Sequence, residues 1–119
     1  MERGCGVYRE EASMQQTCRD LAELQKRFAE VSLDDPSRVF NTEVVAALEL
    51  ANMLDVAETV ANAAARRNES RGAHTRRDAT SRDDVNFLHH SLCRRDAVGP
   101  RVETKSVTLG RWEPEERKY

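Results

Sequence analysis

The sequence predicts a mainly α fold, an antiparallel helical bundle followed by an extended tail that holds a β-hairpin. Three patterns predict it. Apolar residues from about Glu10 to Glu30 recur at a/d-like spacing. Residues 42–68 are apolar around most of a helical circumference. From Val85 the helical period is lost, and alternation takes over after Val98-Gly99-Pro100.

The first helix carries Met14, Leu21 and Phe28 seven apart, with Cys18, Leu24 and Val31 between them. Arg19, Asp20, Glu23, Lys26 and Arg27 occupy the remaining surface, so one narrow face is buried. Leu33-Asp34-Asp35-Pro36-Ser37 then breaks the helix, because Pro36 biases Asp35 away from the helical region. Asn41 or Thr42 can cap the second helix, with Glu43 favoured in its first turn.

That second helix, Thr42 to Asn68, would run about 40 Å. Glu49, Asn52, Asp55, Thr59 and Asn62 make one thin polar stripe, and nearly every other position is apolar or small. The first helix is too narrow to cover it, so a third helix or a partner is required. Ala61 to Ala65 would let another backbone come close. Gly72 ends or bends the helix within the arginine-rich run Arg66 to Arg77. Strands are expected near 86–95 and 102–109, around Gly99. Organisation is thus one domain, 1–119, with a helical part (1–78) and an extended, β-containing part (79–119).

The 119 residues, 13.5 kDa, bound the function. Charged residues reach 34%, aromatics only 5%, and mean hydropathy is −0.74, which leaves little material for a deep core. No apolar run approaches the length of a membrane span, and the start lacks the apolar region of a signal peptide. A net charge of −2 argues against a dedicated nucleic-acid binder. Cys5, Cys18 and Cys93 are widely spaced free thiols with no CxxC. GxGxxG and Walker A patterns are absent.

The densest chemistry lies in Glu69 to Asp78. Arg71, His74 and Arg76 could donate to carboxylates or phosphates of a partner. The alternative is a solvated helix terminus whose arginines suit the dipole. No aromatic interleaves these arginines, which disfavours single-strand nucleic-acid binding. His89 and His90 would face opposite sides of a strand, so a shared metal is not expected. Ser70 beside Glu69 and His74 lacks an oxyanion hole or an oriented base. Asp83-Asp84 reads as a cap or turn.

Several runs carry a resemblance. NTEVVAALELANML (Asn41–Leu54), NESRGAHTRRD (Asn68–Asp78), RDDVNFLHHSL (Arg82–Leu92) and the closing Pro114–Tyr119, a P-x-x-R-x-Y, resemble the C-terminal domain of succinate dehydrogenase/fumarate reductase flavoprotein subunits. GCGVYR (Gly4–Arg9), LAELQKRF (Leu21–Phe28) and Phe87 are more similar to the fumarate reductase branch. L-aspartate oxidase shares the architecture and a similar ESRG run, but the P-x-x-R-x-Y ending favours the dehydrogenase/reductase branch. The resemblance implies a spectrin-repeat-like helical bundle with its first helix largely truncated here, and an extended tail. It implies a parent subunit that interconverts fumarate and succinate by hydride transfer at FAD and passes electrons to an iron–sulfur subunit.

The family's flavin fingerprint, its flavin-linking histidine and its substrate-binding residues have no counterpart in this chain. Ala79-Thr80 replaces an aromatic and Pro, and His89 stands where Lys is frequent. No catalytic, cofactor-binding or metal residue is therefore expected. Glu69, Arg71, His74, Arg76, His90, Arg117 and Tyr119 are expected to have a structural or docking role. The expected partners are a flavin-binding domain of the same or another polypeptide and the iron–sulfur subunit, at the inner, cytoplasmic face of a membrane. A free-standing, self-associating helical adaptor is the alternative, and it rests on the same uncovered helix.

Overall fold

The computed structural model describes residues 1–115. Arg117 and Tyr119 lie outside the described residues. Their order is α1 (Glu2–Cys5), β1 (Tyr8–Arg9), α2 (Glu11–Phe28), α3 (Thr42–Ala65), β2 (Thr75–Arg76), α4 (Asp84–Phe87), β3 (His89–Asp96) and β4 (Gly99–Ser106). The molecule is elongated, 57 × 32 × 32 Å.

Two long helices form the body. Met14 and Cys5 pack with Ala64, while Leu21, with Cys18 and Phe28 beside it, packs with Leu54, Ala57 and Ala61. Rising positions on α2 meet falling positions on α3, so the pair is antiparallel. The small residues Ala61 and Ala64 admit α2 closely, the approach expected of that stretch. The apolar stripe of α2 is buried at Met14 and Leu21 but opens at Leu24 and at Val31 just beyond the helix, both of which are exposed. Thr17 joins the buried face because its hydroxyl is satisfied by the Ser13 carbonyl at 2.8 Å. Gly4 lies so close that a Cβ there would stand 1.8 Å from Thr17 Oγ1.

Asn41 caps α3, its Oδ1 accepting from the Val44 N–H at 3.1 Å. The helix ends at Ala65, three residues earlier than expected, and Gly72 neither ends nor bends it. Gly72 instead takes φ 58° in the two-residue turn between Arg71 and His74. A positive φ at only the first central position suits a type II′ turn, which favours glycine there.

The hairpin is present but shifted. His89 pairs with Ser106 and Asp96 with Gly99, across a two-residue turn at Ala97-Val98. The strands are thus 89–96 and 99–106 instead of 86–95 and 102–109. The cause is local. Asp83 Oδ1 accepts from the N–H groups of Val85 and Asn86, 3.0 Å each, and starts the single helical turn α4 where strand was expected. The part after residue 78 is therefore not purely extended. The part before it contains β1, which pairs in parallel with β2 through Tyr8–Thr75 and Arg9–Arg76.

The hairpin packs along α3. Arg95 reaches Asp55 at 3.2 Å, and Cys93 and Pro100 share a small groove with Asp55, Glu58 and Thr59. Part of the polar stripe of α3 thus meets the hairpin instead of bulk solvent. The uncovered surface is largely apolar: Val45, Leu48, Met53, Val56 and Val60 are all exposed, with the polar Glu49 and Asn52 among them. Phe40, just before the cap, adopts φ 54°. That left-handed conformation costs a residue with a Cβ about 1–2 kcal/mol.

Candidate functional site

The arginine-rich segment folds into a cage centred on Glu69, whose side chain is 0% exposed. Glu69 accepts from Arg67 Nη1, from Arg71 Nε at 2.8 Å and Nη2 at 3.0 Å, and from the Asp83 N–H at 2.8 Å. A buried carboxylate survives only when its lone pairs are met, and this one is met on both oxygens. Burial pushes its carboxyl pKa up, but the bonds from Arg71, Asp83 and Arg67 outweigh burial and hold it below the usual range. Arg71 also reaches Asp84 at 2.5 Å. Arg67 donates to the carbonyls of Phe87, 2.8 Å, and His89, 2.6 Å, and so ties the end of α3 to α4 and β3.

Arg76 makes a second centre. It is 2% exposed and binds Asp78 through both Nε, 2.8 Å, and Nη2, 2.7 Å. It reaches Glu11 of α2 at 2.8 Å as well. Asp78 in turn accepts from the Glu11 N–H at 2.7 Å. It therefore supplies, from 67 residues away, the cap that Glu10 does not give α2. The Arg76 guanidinium and that N–H hold the Asp78 carboxyl far below the ordinary carboxylate range.

His74 links the two centres. Arg9 Nη1 donates to His74 Nδ1 at 2.6 Å, and the opposite nitrogen lies 3.0 Å from the Arg67 carbonyl. The guanidinium fixes the tautomer: Nδ1 accepts and Nε2–H donates. Burial lowers the imidazole pKa, the bond to the Arg67 carbonyl opposes this, and the nearby charges of Arg9, Arg76 and Arg67 lower it further. Burial and the Arg9 donor both favour the uncharged ring.

Glu69 and Arg76 do not present charge outward, and they do not form a solvated helix end either. Their polar atoms are used inside the chain. Arg71 and His74 are half-buried in the same cage, and of the expected residues that are described only His90, exposed on β3 opposite Lys105, is open to contact. Sequence reasoning missed Glu11, Arg67 and Asp78. One glutamate flanked at i−2 and i+2 by arginines was the signal that could have found the first centre.

Among the described residues, Ser70, Cys18 and Cys93 are each occupied or quiet. Ser70 Oγ accepts from the Arg76 N–H at 2.8 Å and donates to the Ala79 carbonyl at 2.7 Å. Burial pushes the Cys18 and Cys93 thiols up, away from the thiolate a nucleophile needs. Among the described residues no group of three His, Cys, Asp or Glu could hold a metal ion, and no helix is long and apolar enough to cross a membrane.

Comparison with known proteins follows the same lines. The family described as fumarate reductase flavoprotein C-term matches residues 1–119. The fumarate reductase flavoprotein subunits of Escherichia coli and Haemophilus influenzae are 50% and 48% identical over 122 and 120 residues, covering 100% of this chain and 20% of theirs. The succinate dehydrogenase flavoprotein subunit of Coxiella burnetii is 44% identical over 81% of this chain and 16% of its own. Among solved structures, FrdA of E. coli quinol fumarate reductase superposes with a TM-score of 0.92 at 49% identity, over 98% of this chain and 20% of that one. Sdh1 of Mycobacterium smegmatis gives 0.78 at 37% identity, over 87% and 18%. The chain spans about one fifth of the length of the curated relatives it matches. The chain therefore belongs to the fumarate reductase flavoprotein C-terminal family.

Proposed function

We propose that this domain is a docking element for the flavin-binding part of a fumarate reductase/succinate dehydrogenase flavoprotein and performs no chemistry alone. One observation carries the reading. The side of α3 bearing Val45, Leu48, Met53, Val56 and Val60 is uncovered. Exposed apolar faces of this kind mark interaction surfaces. The relatives are about five times longer than this chain, so each brings a large body to lie against the matching region.

A flavin does not fit the cage. Its arginines are committed to Glu11, Glu69, Asp78 and Asp84. Gly72 stands on an open turn, with nothing within 4 Å of an added Cβ, and so offers no close cradle for a pyrophosphate. The cage therefore works mechanically. It pins the start of α2, the end of α3 and the root of the hairpin to one point, and so holds the docking face in shape. Transfer of electrons to an iron–sulfur subunit, at a membrane surface, would then belong to the whole assembly.

The test is a chimera in which this chain replaces the matching fifth of the E. coli flavoprotein. It should accumulate as a yellow protein that reduces fumarate, whereas the 119-residue chain alone should be colourless and inactive with succinate and dye. An inactive, flavin-free chimera, or a yellow isolated chain, would overturn the reading. A tight homodimer of the isolated chain by light scattering would favour the self-associating adaptor instead.

A further inference from the structure

Phe40 departs from two local expectations at once. Its backbone sits at φ 54°, a region that bulky side chains avoid, and its side chain is 98% exposed. An apolar residue in front of a helix cap normally folds back onto the fourth helical residue, here Val45. That staple is open, since Val45 is exposed as well.

The loop that presents Phe40 is nevertheless firmly built. Asn41 Nδ2 donates to the carbonyls of Asp35, 2.8 Å, and Ser37, 3.0 Å. Glu43 Oε2 accepts from the N–H groups of Asp34 and Asp35, 3.0 Å each. Asp35 closes the turn by accepting from Ser37 N–H at 2.8 Å and Oγ at 2.9 Å. These bonds hold the strained residue and direct its ring away from the chain. Val39 and the first two turns of α3, through Val44, Val45 and Leu48, continue the apolar surface beside it.

We propose that Phe40 is the anchor by which this domain docks, entering an apolar pocket on the remainder of the flavoprotein. The proposal deepens the docking reading above and rests on it. A rigidly presented aromatic loses little freedom on association, and buried aromatics dominate interface energetics. The occupant is the rest of the flavoprotein chain, because four fifths of the matched FrdA chain lies outside this region. A second copy is the rival. The apolar groove of about 220 Å³ between Leu24, Phe28, Val31, Leu50 and Leu54 could receive its Phe40.

Phe40→Asn separates the cases, because asparagine tolerates the left-handed region and lacks the ring. In the isolated 119-residue chain it should raise Tm by roughly 4 °C through relief of strain. In the chimera it should lower Tm by roughly 2–4 °C, while Phe40→Trp keeps the parent value. A lowered Tm in the isolated chain would overturn the proposal, since the ring would then belong to this chain's own packing. A chimera indifferent to Phe40→Asn would overturn it too, as would a wild-type homodimer that Phe40→Asn dissolves. Failure of the unsubstituted chimera strikes the docking reading itself; indifference of a working chimera strikes the anchor alone.

Discussion

Around Glu69, charged side chains lie inside the molecule; along the open side of α3, valines, a leucine and a methionine lie outside it. The cage is closed. Each buried charge there has its counter-charge and hydrogen bonds within the chain, so it needs nothing further. The α3 surface is the reverse, with apolar area that nothing among the described residues covers. A buried charge or an exposed apolar patch is more informative than the common arrangement of either. Together they mark where charge is satisfied within the chain and where apolar surface faces solvent.

The strongest way to break this comparison is to open the cage. Glu69→Ala leaves the guanidinium groups of Arg67 and Arg71 and the Asp83 N–H without their shared acceptor. Removing one member of a buried ion pair costs about 3–5 kcal/mol. Urea denaturation of the variant should show a loss of that size. A loss below about 1 kcal/mol would mean that the cage is a solvated surface after all.

Arg76→Lys is a milder cut. An ammonium cannot bridge Asp78 through two parallel bonds while also meeting Glu11. The expected loss is about 1–2 kcal/mol. Weakened amide protection at the start of α2 should accompany it, because Asp78 would no longer be held against the Glu11 N–H. Uniform protection loss across the chain would contradict that local tie.

How much of this was legible in the sequence depends on what kind of interaction built each part. Met14, Leu21 and the uncovered side of α3 follow from periodicity, because a helix face repeats along the chain. The hairpin was displaced by about three residues because one capping carboxylate, Asp83, diverted Asp84–Phe87 into a helical turn. The arginines at i−2 and i+2 of Glu69 hint at a pairing centre, but the burial of Glu69 and Arg76 has no periodic signal, since charged residues are assigned to solvent by default. Asp78 capping α2 joins positions 67 residues apart, and no local window contains it. Phe40 escaped notice because a single apolar residue in a loop has no period at all.

Acid should strain the cage in two steps. His74 has a depressed folded pKa, so its stabilising contribution is full above its unfolded value of about 6.5. That contribution declines as pH falls from there toward the folded value, when protonated Nδ1 would face the Arg9 donor. Glu69 and Asp78 are also depressed. Their contributions are full above about pH 4 and are lost as pH drops through the folded values. Thermal melts between pH 7.5 and 5 should therefore slope downward for the wild type and flatten for His74→Gln. Equal slopes would show that the ring titrates freely.

The smallest effect is expected on the open side, and it bears on the comparison most directly. Val56 is 63% exposed on α3. Val56→Gln swaps a β-branched residue for a better helix former and removes apolar surface that the folded chain leaves in water. Surface changes of this kind stay within about 0.5 kcal/mol. Urea denaturation of the isolated chain should confirm that near-neutrality, and a loss of 2 kcal/mol would place Val56 inside a core this chain forms by itself. In the chimera the same residue should matter, because burying a glutamine without partners is unfavourable where burying a valine is not. The cage substitutions, by contrast, should be costly in the isolated chain and the chimera alike, since every partner of Glu69 and Arg76 travels with the domain.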